Sequence, residues 1–130
     1  MDTGAKTIDP ETIAKSIAML RVLLGIAFVI SPRALVRSAT AGREPASETT
    51  AALRMVGGRD LALGIGALLA AKRGPHALRG WVEGGILADA IDAGALTTVR
   101  SLRPPLRELC VASASATSVV GGLVARRLTR

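Results

Sequence analysis

Arg21 is the only charged residue between positions 17 and 30, where every other residue is apolar or glycine. A helix that is apolar on all sides belongs in a protein core or in a lipid bilayer, not on a solvated surface. Aromatic side chains usually supply much of the buried area of a small soluble core. This chain of 130 residues has one Phe, one Trp and no Tyr. The stretch therefore favours a helix that crosses a membrane.

Proline and glycine divide the rest of the chain into further long segments. Asp9 with Pro10, Pro75 and Pro104 suit helix starts, and Pro32 suits a helix end. These signals predict one all-α domain over residues 1–130. We expect a four-helix transmembrane bundle with spans at roughly residues 13–31, 49–71, 76–99 and 105–125, since a span needs about 20 residues. Residues 33–47 are predicted to be a linker with a short interfacial turn.

Small residues recur at a four-residue spacing in the last two predicted helices. The rows are Gly80, Gly84 and Ala88, and then Ala114, Ser118 and Gly122. Such rows let the backbones of membrane helices approach each other. Gly57, Gly58, Gly64 and Gly66 lack the strand-to-helix context of a phosphate-binding loop, so we interpret them as packing glycines.

The net charge of +7 comes mainly from arginines scattered among apolar segments. Nucleic-acid binding needs a solvated basic face or stacking aromatic rings, so we expect the lipid bilayer, and no nucleic acid, as a partner. The termini and the loop near residue 73 carry eight basic residues, against six on the opposite loops. This favours a cell-membrane protein with cytoplasmic termini. One Cys and one His provide no ligand or catalytic set, so no metal and no cofactor are expected.

Charged residues inside the predicted spans form the candidate functional site, which consists of Arg54, Arg59, Asp60, Asp89 and Asp92. A charge at the bilayer centre costs roughly 2.5–3.5 kcal/mol, so these side chains should face the bundle interior and pair. Asp89 and Asp92 are three residues apart and share a helix face. Arg54 or Arg59 is predicted to pair with one of them. Arg59 and Asp60 point about 100° apart, so we expect them to have different partners.

The cluster admits two interpretations. It is either a polar pocket for a lipophilic small molecule or an ion-pair network that fixes helix register. For Arg21 and Glu83, whose charged ends are able to reach a membrane interface, the structural interpretation is favoured over a functional one. The leading hypothesis is a binding or accessory module of the membrane. One alternative is a membrane isomerase or hydrolase that uses Asp89 or Asp92 as acid or base, and another is a soluble helical bundle that forms homo-oligomers.

The sequence from Arg54 to Gly64 (RMVGGRDLALG), followed by Ala88 to Ala93 (ADAIDA), carries a family resemblance. It resembles the signature of small bacterial and fungal four-helix integral membrane proteins, which are broadly DoxX-like. The resemblance covers most of the chain from the first helix onward. It implies the fold and a membrane location, and it implies no activity, cofactor or redox role.

Overall fold

The structure is a computed structural model that describes residues 9–98 and 104–128 of the chain. Over those residues the protein has five helices and no strand, which confirms the all-α class. The helices are α1 (Pro10–Ile30), α2 (Pro32–Ala39), α3 (Ser47–Ala71), α4 (Pro75–Thr98) and α5 (Pro104–Arg127). The four long helices lie within about one turn of the predicted segments, whereas a four-helix transmembrane bundle stays a prediction.

The first helix begins at a capped turn. The Oδ2 atom of Asp9 accepts hydrogen bonds from the backbone N–H of Thr12 at 3.0 Å and from its hydroxyl at 3.1 Å. Pro10 occupies the first helical position, where a missing N–H group costs nothing. The cap therefore satisfies a donor that the helix itself leaves unpaired.

Asp9→Ala is expected to lower the free energy of unfolding by about 1 kcal/mol, because the Thr12 N–H then loses its acceptor. Asp9→Asn keeps a side-chain oxygen at the same position and should lose much less. Thermal unfolding followed by far-ultraviolet circular dichroism compares the two variants with the parent. Equal losses in both variants would contradict the capping role.

The prediction of a linker over residues 33–47 is wrong in its first half, where the chain forms α2. Pro32 does end the first helix, but it also provides a preset first residue for a new one. The second helix closes at Ala41 and Gly42, which have φ of 53° and 84°. The Gly42 N–H donates to the Arg37 carbonyl at 2.8 Å, so the left-handed turn satisfies a terminal carbonyl of α2.

The described residues fall into two compact units. The α1–α3 unit is Lys15–Leu69, and the α4–α5 unit comprises the described residues of Met1–Ala14 and Ala70–Arg130. Within the α4–α5 unit, α4 packs against α5. A Cβ atom placed at Gly121 would lie 2.8 Å from the Ile86 side chain, and the Ser118 hydroxyl donates to the Ile86 carbonyl at 3.5 Å. The single-domain prediction for the whole chain stays a prediction.

The small residues that make close contacts differ in part from the predicted ones. Gly80 and Gly84 are exposed, and Gly80 has open space where a side chain would stand. In α5 the tight contact belongs to Gly121, whereas Gly122 has open space. Four-residue spacing alone therefore did not identify which helix face is packed.

In α1 and α3, every buried apolar residue is alanine or glycine. These buried residues are Ala14, Ala18, Gly25, Gly57, Gly64, Ala67 and Ala70. The large apolar side chains of the same helices are exposed or half-buried, and the exposed ones are Met19, Leu20, Leu23, Leu24, Ile26, Ile30, Met55, Ile65 and Leu69. Residue size is thus inverted relative to a soluble protein, whose large aliphatic side chains are the ones most often buried.

Among the described helices, α1 alone has the length and composition to cross a membrane, with a mean hydropathy of 2.1. Core helices of soluble proteins and signal sequences reach similar values. The hydropathy of α1 therefore supports a membrane span only in combination with the exposed position of its large side chains.

Candidate functional site

The candidate site lies on the face where α1 and α3 meet, and glycines set the distance between the two helices. A Cβ atom at Gly57 would lie 2.9 Å from the Gly25 carbonyl oxygen, and one at Gly64 would lie 2.6 Å from the Ala18 carbonyl oxygen. No real side chain fits at such distances, so the backbones approach as closely as the absence of Cβ atoms permits. Since Gly25 meets Gly57 and Ala18 meets Gly64, the two helices run antiparallel.

An arginine–aspartate cluster occupies the middle of this contact. The Arg21 Nη1 atom lies 2.8 Å from the Asp60 Oδ1 atom, and the Arg59 Nη2 atom lies 3.4 Å from the same oxygen. The side chains of Arg21 and Asp60 are 12% and 11% exposed, and that of Arg59 is 32% exposed. One carboxylate thus receives two guanidinium groups, and it links α1 to α3 through charge-assisted hydrogen bonds. We call these three residues the Arg–Asp cluster.

Small residues flank the ion pair in the same pattern on both helices. Arg21 follows Ala18 by three residues and precedes Gly25 by four, while Asp60 follows Gly57 by three and precedes Gly64 by four. Residues at these spacings share one helix face. The close backbone contacts above and below the pair exclude solvent from it. A pair held out of water in this way couples the positions of α1 and α3 strongly.

Arg59 and Asp60 both lie in the Arg–Asp cluster, where they contact each other and Asp60 also pairs with Arg21. Their side chains leave the helix at different angles, yet the guanidinium of Arg59 is long enough to bend back to the neighbouring carboxylate. Arg54 lies on an exposed part of α3, and its Nε atom donates to the Val29 carbonyl at 3.4 Å. There it satisfies a carbonyl in the last turn of α1.

Asp89 and Asp92 lie on α4, in the other unit. Asp89 is buried, with 8% exposure, and Asp92 is half-buried. The exposed residues Leu87 and Ile91 mark the opposite side of that helix. The predicted pairing of Arg54 or Arg59 with one of these carboxylates stays a prediction, because it joins residues of different units.

Arg21 and Glu83, for which the sequence favoured a structural role, both form ion pairs. The Arg21 side chain turns inward to Asp60. Sequence reasoning missed this partner, although the matching spacing of small residues around Arg21 and Asp60 was a usable signal. Glu83 is exposed and accepts a hydrogen bond from Arg79 at 2.6 Å, four residues earlier on α4.

Two further features bear on ligand binding. Among the described residues, no group of three or more His, Cys, Asp or Glu side chains could hold a metal ion. The α4–α5 unit contains an apolar cavity of about 140 Å³, lined by Pro10, Ile13, Val120, Leu123, Val124 and Arg127. Sites for drug-sized ligands span roughly 300–1,000 Å³. This cavity is therefore too small for such a ligand, and its lining includes no carboxylate.

Comparison with protein-family models, with curated proteins and with solved structures finds no match to this chain. The resemblance to DoxX-like membrane proteins accordingly stays a prediction. The geometry of the described residues is what supports a functional proposal.

Proposed function

We propose that the chain is a small multi-pass membrane protein that acts as a binding or accessory module, with α1 and α3 joined by the Arg–Asp cluster. The inverted distribution of side-chain sizes carries this proposal. In water, the outward Leu, Ile and Met side chains of α1 and α3 would lose the free energy that burial provides, about 25 cal/mol for each Å². In a bilayer, lipid tails cover them, and small inward residues give the close helix packing that membrane helices use.

The α4–α5 unit also has an apolar exterior, although it buries Leu78, Val124 and Leu128. Trp81, Leu87 and Ile91 of α4 are exposed, as are Val119, Val120 and Leu123 of α5. Asp89 lies on the buried side of α4. Polar residues inside a membrane protein are expected to face the protein interior in this way. Both units therefore favour spans with polar interiors and apolar exteriors.

The geometry of the Arg–Asp cluster favours a structural role, in which the cluster joins α1 to α3, over a catalytic role. Both guanidinium groups approach the same Asp60 oxygen, and packed backbone flanks the pair. The carboxylate is thus engaged in joining α1 to α3. The alternative of an isomerase or hydrolase using Asp89 or Asp92 stays a prediction, and so does the soluble oligomer.

Membrane fractionation with an alkaline wash tests the location. We expect the protein to remain in the washed membrane pellet and to be released only by detergent, because spanning helices are held by their apolar surface. Recovery in the cytosolic fraction, or release by the alkaline wash, would overturn the proposal in favour of a soluble or peripheral bundle.

Cysteine labelling tests whether α3 crosses the bilayer. In a chain whose native Cys110 is replaced by Ser, Arg43→Cys marks the turn before α3, and Lys72→Cys marks the turn after it. A membrane-impermeant maleimide applied to intact cells should label the first variant only, as cytoplasmic termini require. Labelling of the second variant only would reverse the orientation and keep the span. Labelling of both or neither before lysis, with full labelling of both after lysis, would contradict a spanning α3.

A further inference from the structure

The second helix has one apolar face and one basic face. Pro32 is buried, and Leu35 and Val36 are half-buried on the same side of the helix. Arg33 and Arg37 lie exposed on the other side. A short helix of this kind is typical of a segment that lies along a membrane surface, with its charged side chains at the level of the headgroups.

Hydrogen bonds fold the following turn back onto this helix. Arg37 pairs with Glu44 through an Nη1–Oε1 contact of 2.8 Å. The Thr40 hydroxyl lies 2.7 Å from the Val36 carbonyl oxygen and 3.4 Å from the Arg43 carbonyl oxygen. These contacts hold the backbone of Arg43 beside the end of α2. The three arginines 33, 37 and 43 thus belong to one ordered surface, which we call the α2 surface.

The α2 surface carries an excess of positive charge. Its one acidic residue, Glu44, is engaged by Arg37. Within the part of the chain that the structure describes, Arg33 and Arg43 form no ion pair, and both are exposed. Two guanidinium groups are therefore available to an anion from outside the chain. Arginine binds phosphate groups particularly well, because its planar fork can donate two parallel hydrogen bonds.

We propose that the α2 surface binds the headgroups of anionic phospholipids through Arg33 and Arg43. The position of α2 selects this partner, because the helix follows directly after the apolar α1, which ends at Ile30. A surface at the end of such a helix lies at the depth of the lipid phosphates. The inference rests on the proposed membrane location, and it specifies the class of lipid that the α2 surface binds there. In the detergent-purified protein, where no leaflet is involved, each basic residue near an anionic headgroup should strengthen binding about fivefold.

Native mass spectrometry of the detergent-purified protein tests this proposal. The protein is titrated with short-chain phosphatidylglycerol or, in parallel, with phosphatidylcholine of the same chain length. We expect a clear preference for phosphatidylglycerol, and the double variant Arg33→Gln, Arg43→Gln should reduce it about 25-fold. The matched control is Arg33→Lys, Arg43→Lys, which keeps both positive charges at the same positions and should keep most of the preference.

The outcomes separate the lipid proposal from the membrane proposal. If both double variants remain in the alkaline-washed membrane pellet but show the same lipid preference, the α2 surface is not the lipid site and the membrane location stands. Inorganic phosphate at millimolar concentration should not displace the lipid. Displacement by phosphate would identify a simple anion site and overturn the lipid assignment. Release of the parent protein by the alkaline wash would overturn the membrane proposal independently.

Discussion

Arg21→Met is expected to lower the free energy of unfolding by about 3 kcal/mol, near the lower end of the 3–5 kcal/mol typical of a broken buried pair. The substitution keeps an unbranched side chain about as long as the aliphatic part of arginine, and it leaves the Asp60 carboxylate in a site where the residue is only 8% exposed. The lower end applies because Arg59 still approaches the same oxygen, although at 3.4 Å. Equilibrium unfolding in mixed micelles, followed by circular dichroism, measures the loss.

Two companion variants make this result specific. Arg79→Met removes an arginine whose ion pair with Glu83 is exposed on both sides, so it should cost no more than about 1 kcal/mol. The double variant Arg21→Met, Asp60→Leu removes both buried charges and should recover most of the lost stability, since apolar residues can replace a buried pair. Equal losses for Arg21→Met and Arg79→Met would show that the Arg–Asp cluster does not join α1 to α3.

The positions of the long helices were predictable because local chemistry sets them. Pro10, Pro75 and Pro104 each stand at the first residue of a helix, where proline is favoured for its fixed φ and missing N–H. The second helix was missed for a related reason. Pro32 was interpreted only as the residue that ends α1, although Pro32 is itself the first residue of α2.

The partner of Arg21 was not predictable from charge patterns alone. Pairing depends on which faces of α1 and α3 meet, and that is decided by backbone contacts over a separation of 39 residues. Rows of small residues at four-residue spacing occur on more helix faces than are actually packed. Gly80 and Gly84 have this spacing and yet lie exposed. A combined pattern would have been more selective than spacing alone.

That combined pattern is a glycine three or four residues before an aspartate, since the same spacing before a glutamate, at Gly80 and Glu83, lies exposed. Gly57 precedes Asp60 by three residues, Gly85 precedes Asp89 by four, and all four residues are buried. The physical reason is common to both pairs. A carboxylate that leaves water needs partners and tight packing, and a glycine on the same helix face lets another backbone come close enough to exclude solvent. At these two aspartates, spacing and charge together mark a buried helix face.

The neighbouring glycines 57 and 58 should respond in opposite directions to the same substitution. A methyl group at Gly57 would lie 2.7 Å from the Phe28 Cβ and 2.9 Å from the Gly25 carbonyl oxygen, so α1 and α3 must separate to admit it. We expect Gly57→Ala to lower the free energy of unfolding by about 2 kcal/mol, as overpacking typically does. Gly58 is exposed, with nothing within 4 Å of an added Cβ.

Gly58→Ala should therefore raise the free energy of unfolding by about 0.5–1 kcal/mol, because alanine favours a helix more than glycine does and meets no neighbour here. The two variants are matched in chemistry, helix and position along the chain, so their difference isolates the contact between α1 and α3. Unfolding in the same micelles as for Arg21→Met measures both. Since separation of the helices also lengthens the contact between Arg21 and Asp60, Gly57→Ala combined with Arg21→Met should cost less than the sum of the two single losses. Equal effects of the two alanine substitutions would mean that α1 and α3 do not approach each other at Gly57.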